Sequence, residues 1–166
     1  KSAATDWLPM MARFRVGESE NSFCRLASGG WVFAGHLTAI ESYASDHCEI
    51  ARKFLDAPYL WGGKTSAGID CSGLLQVSLA SCGKAIPRDS DMQTSIGRVV
   101  SYERDEGALQ RGDLVFWHGH AGIWIDPQTF IHANATDMLV ATEPLSRVAA
   151  RIEAASGDSI LCVRRI

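Results

Sequence analysis

Cys71 stands where a nucleophile would be expected. It lies in the run Gly68-Ile69-Asp70-Cys71-Ser72-Gly73-Leu74-Leu75, where a glycine-rich approach gives way to an apolar stretch. Ahead of it, Pro58-Tyr59-Leu60-Trp61-Gly62-Gly63 is prone to turn. Behind it, residues 74–82 read as a buried helix that stops near Gly83, a C-terminal glycine signal. A thiol at a helix N-terminus sits at the positive end of the helix dipole, which favours thiolate over thiol. Such a nucleophile needs a base, usually histidine, and a third group that fixes the imidazole tautomer. The chain offers histidines at 36, 47, 118, 120 and 132. If residues 121–125 and 130–132 pair as a hairpin through Asp126-Pro127-Gln128, His120 and His132 come nearly opposite each other. The line Cys71, His120, His132 is then a nucleophile, a base and an orienter. On residue types alone Cys71 could still be core, although its Asp and Ser neighbours argue against that. His118 and His120 are two apart and could share a strand face, but no third ligand stands at a suitable spacing, so neither a metal nor another cofactor is expected. His36 and His47 read as solvated.

The elements that must position these residues follow from pattern and punctuation. Arg13-Phe14-Arg15-Val16 and Trp31-Val32-Phe33-Ala34 look like short strands, with Ser28-Gly29-Gly30 as a turn. Ser45 is expected to cap a helix whose apolar face is Ile50, Ala51, Phe54 and Leu55, ended by Ala57-Pro58. Residues 84–112 read mostly as loop. Short β runs follow at 113–117, 121–125, 129–132 and 138–140, then a helix at 145–155 and a closing strand at 160–163. Helices followed by an antiparallel sheet make an α+β layout.

Composition bounds the function. A chain of 166 residues, 46% hydrophobic, is one sizeable domain with room for a small appendage. A net charge of −3 gives no reason to expect nucleic acid as a partner. No apolar run approaches the roughly 20 residues needed to span a bilayer. Lys1 to Asp6 do not read as a signal peptide. The five cysteines form no C-x-x-C pair, and Cys71 and Cys82 lie about 16 Å apart along a helix, too far to bond. Cys24, Cys48, Cys82 and Cys162 read as small buried hydrophobes.

Taken in order, Tyr59-Leu60-Trp61-Gly62-Gly63, Asp70-Cys71-Ser72-Gly73-Leu74, Pro87-Arg88, Arg111-Gly112-Asp113-Leu114-Val115-Phe116, His120-Ala121-Gly122-Ile123-Trp124 and Phe130-Ile131-His132-Ala133 resemble the successive blocks of the NlpC family. These are bacterial papain-like cysteine peptidases of the cell wall, and the resemblance runs from about residue 46 to 166. It implies a papain-like fold, with the nucleophile helix packed on a central antiparallel sheet. It also implies hydrolysis of the bond between γ-D-glutamate and a diamino acid in peptidoglycan stem peptides. Cys71 would attack, His120 would carry the proton, His132 would hold the His120 ring, and Tyr59 would help bind the oxyanion. In members that carry SH3-like domains, the positions of Asp70 and Ser72 help hold the free amino group of an N-terminal L-alanine. Ser90 falls where a further contact is expected, and Trp61 lines the same pocket. Asp70 also reads as a helix N-cap, Trp61 as plain packing and Arg88 as a salt-bridge partner. Trp31-Val32-Phe33-Ala34-Gly35-His36-Leu37 resembles the last strand of a bacterial SH3-like module. The domains expected are therefore 1–42, a partial SH3-like β segment, and 43–166, the peptidase.

Alternatives on the same scaffold are a peptidoglycan amidase or a cross-link endopeptidase. A non-catalytic wall-binding module is a different class, and it would require Cys71 or His120 to be missing or blocked. The partner class is peptidoglycan-derived peptides. Wall lysis belongs to the cell envelope and muropeptide recycling can be cytoplasmic. Five unpaired cysteines lean toward a reducing interior. Neither the oligomeric state nor the diamino acid is written in the residues.

Overall fold

The computed structural model describes residues 3–103 and 105–166. The chain divides into two compact units, residues 1–43 and 44–166. In the first, β1 (Val16–Glu20), β2 (Phe23–Leu26) and β3 (Trp31–Phe33) form an antiparallel sheet in that order. β1 starts where the sequence pattern ends a strand, and β2 carries no strand signal at all. Val-Gly-Glu-Ser-Glu and Phe-Cys-Arg-Leu lack a buried face to alternate against, and none of the described residues of this unit is buried.

The second unit is built on a six-stranded antiparallel sheet. Its strands are β6 (Arg98–Val100), β7 (Leu114–Trp117), β8 (His120–Asp126), β9 (Thr129–Asn134), β10 (Leu139–Glu143) and β11 (Cys162–Arg165), in the spatial order β10-β9-β8-β7-β11-β6. A two-stranded ribbon, β4 (Lys64–Thr65) and β5 (Gly68–Ile69), precedes the helix α2 (Cys71–Ser81), which packs on β8 and β9. The helix α1 (His47–Arg52) packs on α2. α4 (Leu145–Ser156) contributes Leu145 and Val148 to a second apolar layer with Val115, Trp117, Trp124, Phe130 and Val163. Leu114, Phe116, Ala121, Ile123, Ile131 and Ala133 instead join Leu74, Leu75, Leu79, Ile50 and Phe54. Successive residues of β7 therefore enter different layers. With both faces covered, the strand reads as the unbroken apolar run Leu-Val-Phe-Trp, all buried. Each fully buried leucine or isoleucine of these layers stabilises the fold by about 2 kcal/mol.

Local chemistry sets the element ends. α1 begins one residue later than the capping signal of Ser45 suggests, because the Asp46 carboxylate accepts the Cys48 N–H at 2.7 Å and Asp46 takes extended geometry. It also ends earlier, at Arg52, with turns leading to Pro58. The stretch 84–112 is more structured than its glycines suggest. It holds the short helix α3 (Ser90–Gln93) and the edge strand β6, which pairs with β11. Asp113 is fully buried and receives Arg165 through both carboxylate oxygens at 2.6 Å, tying the start of β7 to β11. His47 is not solvated: its Nε2 meets the Gly112 carbonyl at 3.0 Å. Cys48 is buried as expected, whereas Cys24, Cys82 and Cys162 are only half-buried. Among the described residues, no helix is long and apolar enough to cross a membrane.

Candidate active site

Asp70 caps α2, with its Oδ1 accepting the Gly73 N–H at 2.7 Å, and Cys71 is the first helical residue. The N–H groups of the first helical turn have no carbonyl partner one turn back. Those of Cys71 and Ser72, with the N–H of Ala121, favour the charged form of the Cys71 sulfur. The thiol also meets the Gly119 carbonyl at 3.9 Å. Gly119 and Ala121 flank His120, so the nucleophile helix meets β8 at the histidine. Gly73 permits this turn to form. A Cβ there would run into the Gly63 carbonyl and lie 3.0 Å from Asp70 Oδ1.

The histidine pair comes from strand register. Ile123 pairs with Ile131 across β8 and β9, which places His120 and His132 diagonally, just beyond that pair. His120 Nε2 lies 2.8 Å from His132 Nδ1. Between them along β8, a Cβ on Gly122 would collide with the Phe130 ring, so the close approach requires glycine. His118 is in the turn between β7 and β8 and is exposed, so it does not share a face with His120.

His132 is fully buried and holds a partner that sequence reasoning missed. Its Nε2 lies 3.1 Å from Glu143 Oε1. Glu143 is held in turn by Arg151, through Nη1 at 2.8 Å and through Nη2. The spacing Glu143, Arg147, Arg151 is visible as a helical charge pattern, but it reads the same as a solvated surface pair.

Protonation states follow from these surroundings. Burial pushes the Cys71 thiol above its ordinary value, and the three N–H donors do not reverse it. Burial, then His132 and Arg151, push His120 down to about 3, against Glu143. Both shifts favour the neutral forms, a thiol and an imidazole, over the thiolate that helix position alone suggests. A base with so low a pKa stays unprotonated through the neutral range. The expected kcat/KM profile is level from about pH 7.5 down to about pH 5, and a loss centred near about 6.5 would show an ordinary histidine instead.

Tyr59 is half-buried beside these groups. Its hydroxyl is held protonated by burial and by the neighbouring Cys71 and Asp70. Trp61 is 83% exposed at the turn before β4, which removes the packing role and leaves an aromatic face open to a ligand. Asp70 is saturated from within. Oδ1 accepts from Gly73, Ser72 and Arg88, and Oδ2 from Gly62 and Arg88. Burial alone would raise its carboxyl, but Arg88 and the two backbone N–H groups hold it below the ordinary value. Ser72 Oγ donates to Asp70 and accepts from Arg88 at 2.8 Å. Ser90 opens α3, which is anchored to the nucleophile turn by Gln93 Nε2 donating to the Ser72 carbonyl at 3.1 Å.

The model of the NlpC/P60 family matches residues 56–152. A γ-D-glutamyl-L-lysine dipeptidyl-peptidase of Bacillus cereus is 34% identical over 111 residues, covering 62% of this chain and 32% of that protein. Dipeptidyl-peptidase 6 of Lysinibacillus sphaericus is 29% identical over 102 residues, covering 61% and 36%. This chain thus spans about a third of the length of these curated relatives. A crystal structure of an NlpC/P60 family protein from Bacillus cereus superposes with a TM-score of 0.74 at 28% identity, covering 93% of this chain and 53% of that one.

Proposed function

Since the chain belongs to the NlpC/P60 family, we propose that it is a cysteine peptidase hydrolysing the bond between γ-D-glutamate and a diamino acid in peptidoglycan stem peptides. The observation that carries this reading is the meeting of Cys71, at the tip of α2, with the residues flanking His120, whose Nε2 is 2.8 Å from His132. With Nε2 engaged by His132, the Nδ1 of His120 is the nitrogen left to take the thiol proton. The thiolate so formed attacks the γ-carbonyl carbon of the glutamyl residue. The backbone N–H of Cys71 and the Tyr59 hydroxyl bind the oxyanion. The His120 imidazolium then returns its proton to the leaving amine, which departs as the diamino acid and leaves a thioester on Cys71. Water, deprotonated by His120, hydrolyses the thioester and restores the thiol.

The preferred substrates are short peptides with a free N-terminal L-alanine. Asp70 and Ser72 flank the nucleophile in the chain and would supply the acceptor oxygens such an ammonium needs, with Trp61 and Ser90 as further contacts. An incoming ammonium shares the Asp70 carboxylate with Arg88, so binding requires Arg88 to give up part of its hold. The segment 1–42 is proposed as part of an SH3-like module. A substrate panel tests the reading: free tripeptide, the same tripeptide N-acetylated, tetrapeptide and intact sacculi. Free tripeptide should be cleaved at least about tenfold faster, in kcat/KM, than its acetylated form, the size expected for leaving one charged group unpaired. Cleavage confined to sacculi would overturn the preference for short peptides.

A further inference from the structure

Glu143 lies outside the three residues that do the chemistry, yet its geometry governs them. Ala141 pairs with His132 across β10 and β9, and Glu143 is two residues on, so it points from the same face of the sheet. There its Oε1 meets His132 Nε2 at 3.1 Å, with its side chain 11% exposed. Pro144 then turns the chain into α4, which brings Arg151 onto both carboxylate oxygens.

The direction of the hydrogen bonds along this row is not free. A carboxylate can only accept, so Glu143 demands a proton on His132 Nε2. Neutral His132 then has an unprotonated Nδ1, which must accept from His120 Nε2–H. That leaves His120 Nδ1 unprotonated, the form needed to take the thiol proton. A competing group stands at the same place. Asn134 Nδ2 lies 3.3 Å from His132 Nε2, and its orientation is fixed because Asn134 Oδ1 accepts the Asp137 N–H at 2.8 Å. An amide N–H donating to Nε2 would move the proton of His132 to Nδ1 and reverse the whole row. The charged acceptor, nearer and held ionised by Arg151, decides between them.

We infer that Glu143 is a positioning residue that sets the tautomer of His132, and through it that of His120, so that the base faces Cys71 with an open nitrogen. The inference rests on the assignment of His120 as base. The groups facing His132 are His120 from β8, Asn134 from β9, Asp137 from the turn between β9 and β10, Glu143 from β10, and Arg151 from α4.

The test is Glu143→Gln. Arg151 will hold the glutamine carbonyl, which presents the amide N–H to His132 Nε2 and enforces the wrong tautomer. The expected result is a loss of about 100-fold in kcat with KM changed less than about threefold, as befits a group that orients another. Histidine nitrogen NMR should show the His132 proton moved from Nε2 to Nδ1. A kcat within about threefold of wild type, or a His132 tautomer unchanged in the folded variant, overturns the inference. Because the tautomer is read without turnover, its failure is distinct from a failure of the peptidase reading, which would show as residual activity in Cys71→Ala. A second variant covers the case in which Glu143→Gln does not fold. Glu143 lines a hollow of about 340 Å³ with Thr136, Asp137, Arg147 and Arg151. In Glu143→Ala, formate should enter this hollow and restore kcat in a saturable way, whereas absence of rescue counts against the assignment.

Discussion

Cys71→Ala abolishes hydrolysis of stem peptides and leaves the protein folded. The expected loss is at least about 10⁴-fold in kcat, because no other group in the site can form the thioester and a residual rate would come only from binding and the oxyanion donors. The fold survives because Cys71→Ala removes one buried sulfur and leaves the core cluster, of which Cys71 is not a member, intact. The sulfur meets the Gly119 carbonyl, while the core of α2 is built from Leu74, Leu75 and Leu79. Kinetics on the tripeptide together with thermal melting check both halves. Turnover within about tenfold of wild type would remove Cys71 from the chemistry.

The two histidines should separate by size of effect. His120→Ala removes the proton carrier, with an expected loss of about 10³- to 10⁴-fold in kcat, near the top of the range for acid–base catalysis. His132→Ala removes only the group that orients His120, and about 10- to 100-fold is expected. The ordering follows from position: His132 is fully buried, with one nitrogen on His120 and the other on Glu143, so it does not reach substrate. Equal losses, or a larger loss for His132, would reverse the two roles. Single-substrate kinetics of both variants at one pH decides this.

How much of this was legible in the sequence differs by residue. The approach of His120 to His132 was readable because a period of two along adjacent strands, joined by a short turn, fixes which side chains meet. Glu143 was not, since its contact depends on the register of β9 with β10 and on where α4 lays Arg151. The stretch 84–112 hid β6, which has three residues, one of them Val99 at 63% exposure, too short and too open to give a pattern.

The state of the thiol was misread for a quantitative reason. A helix terminus favours the thiolate by only about 0.3–1 kcal/mol. Burial, which sequence does not display, outweighs it. The structure also added detail around Asp70, whose five internal donors make Arg88 part of any account of substrate binding.

The most direct measurement is product identification by mass spectrometry after incubation with a defined L-Ala-γ-D-Glu-diaminopimelate peptide. Two products are expected in equal amounts, the dipeptide L-Ala-D-Glu and free diaminopimelate, formed by the wild type and not by Cys71→Ala. Cleavage between alanine and glutamate, or the same products from the Cys71→Ala variant, would contradict this expectation.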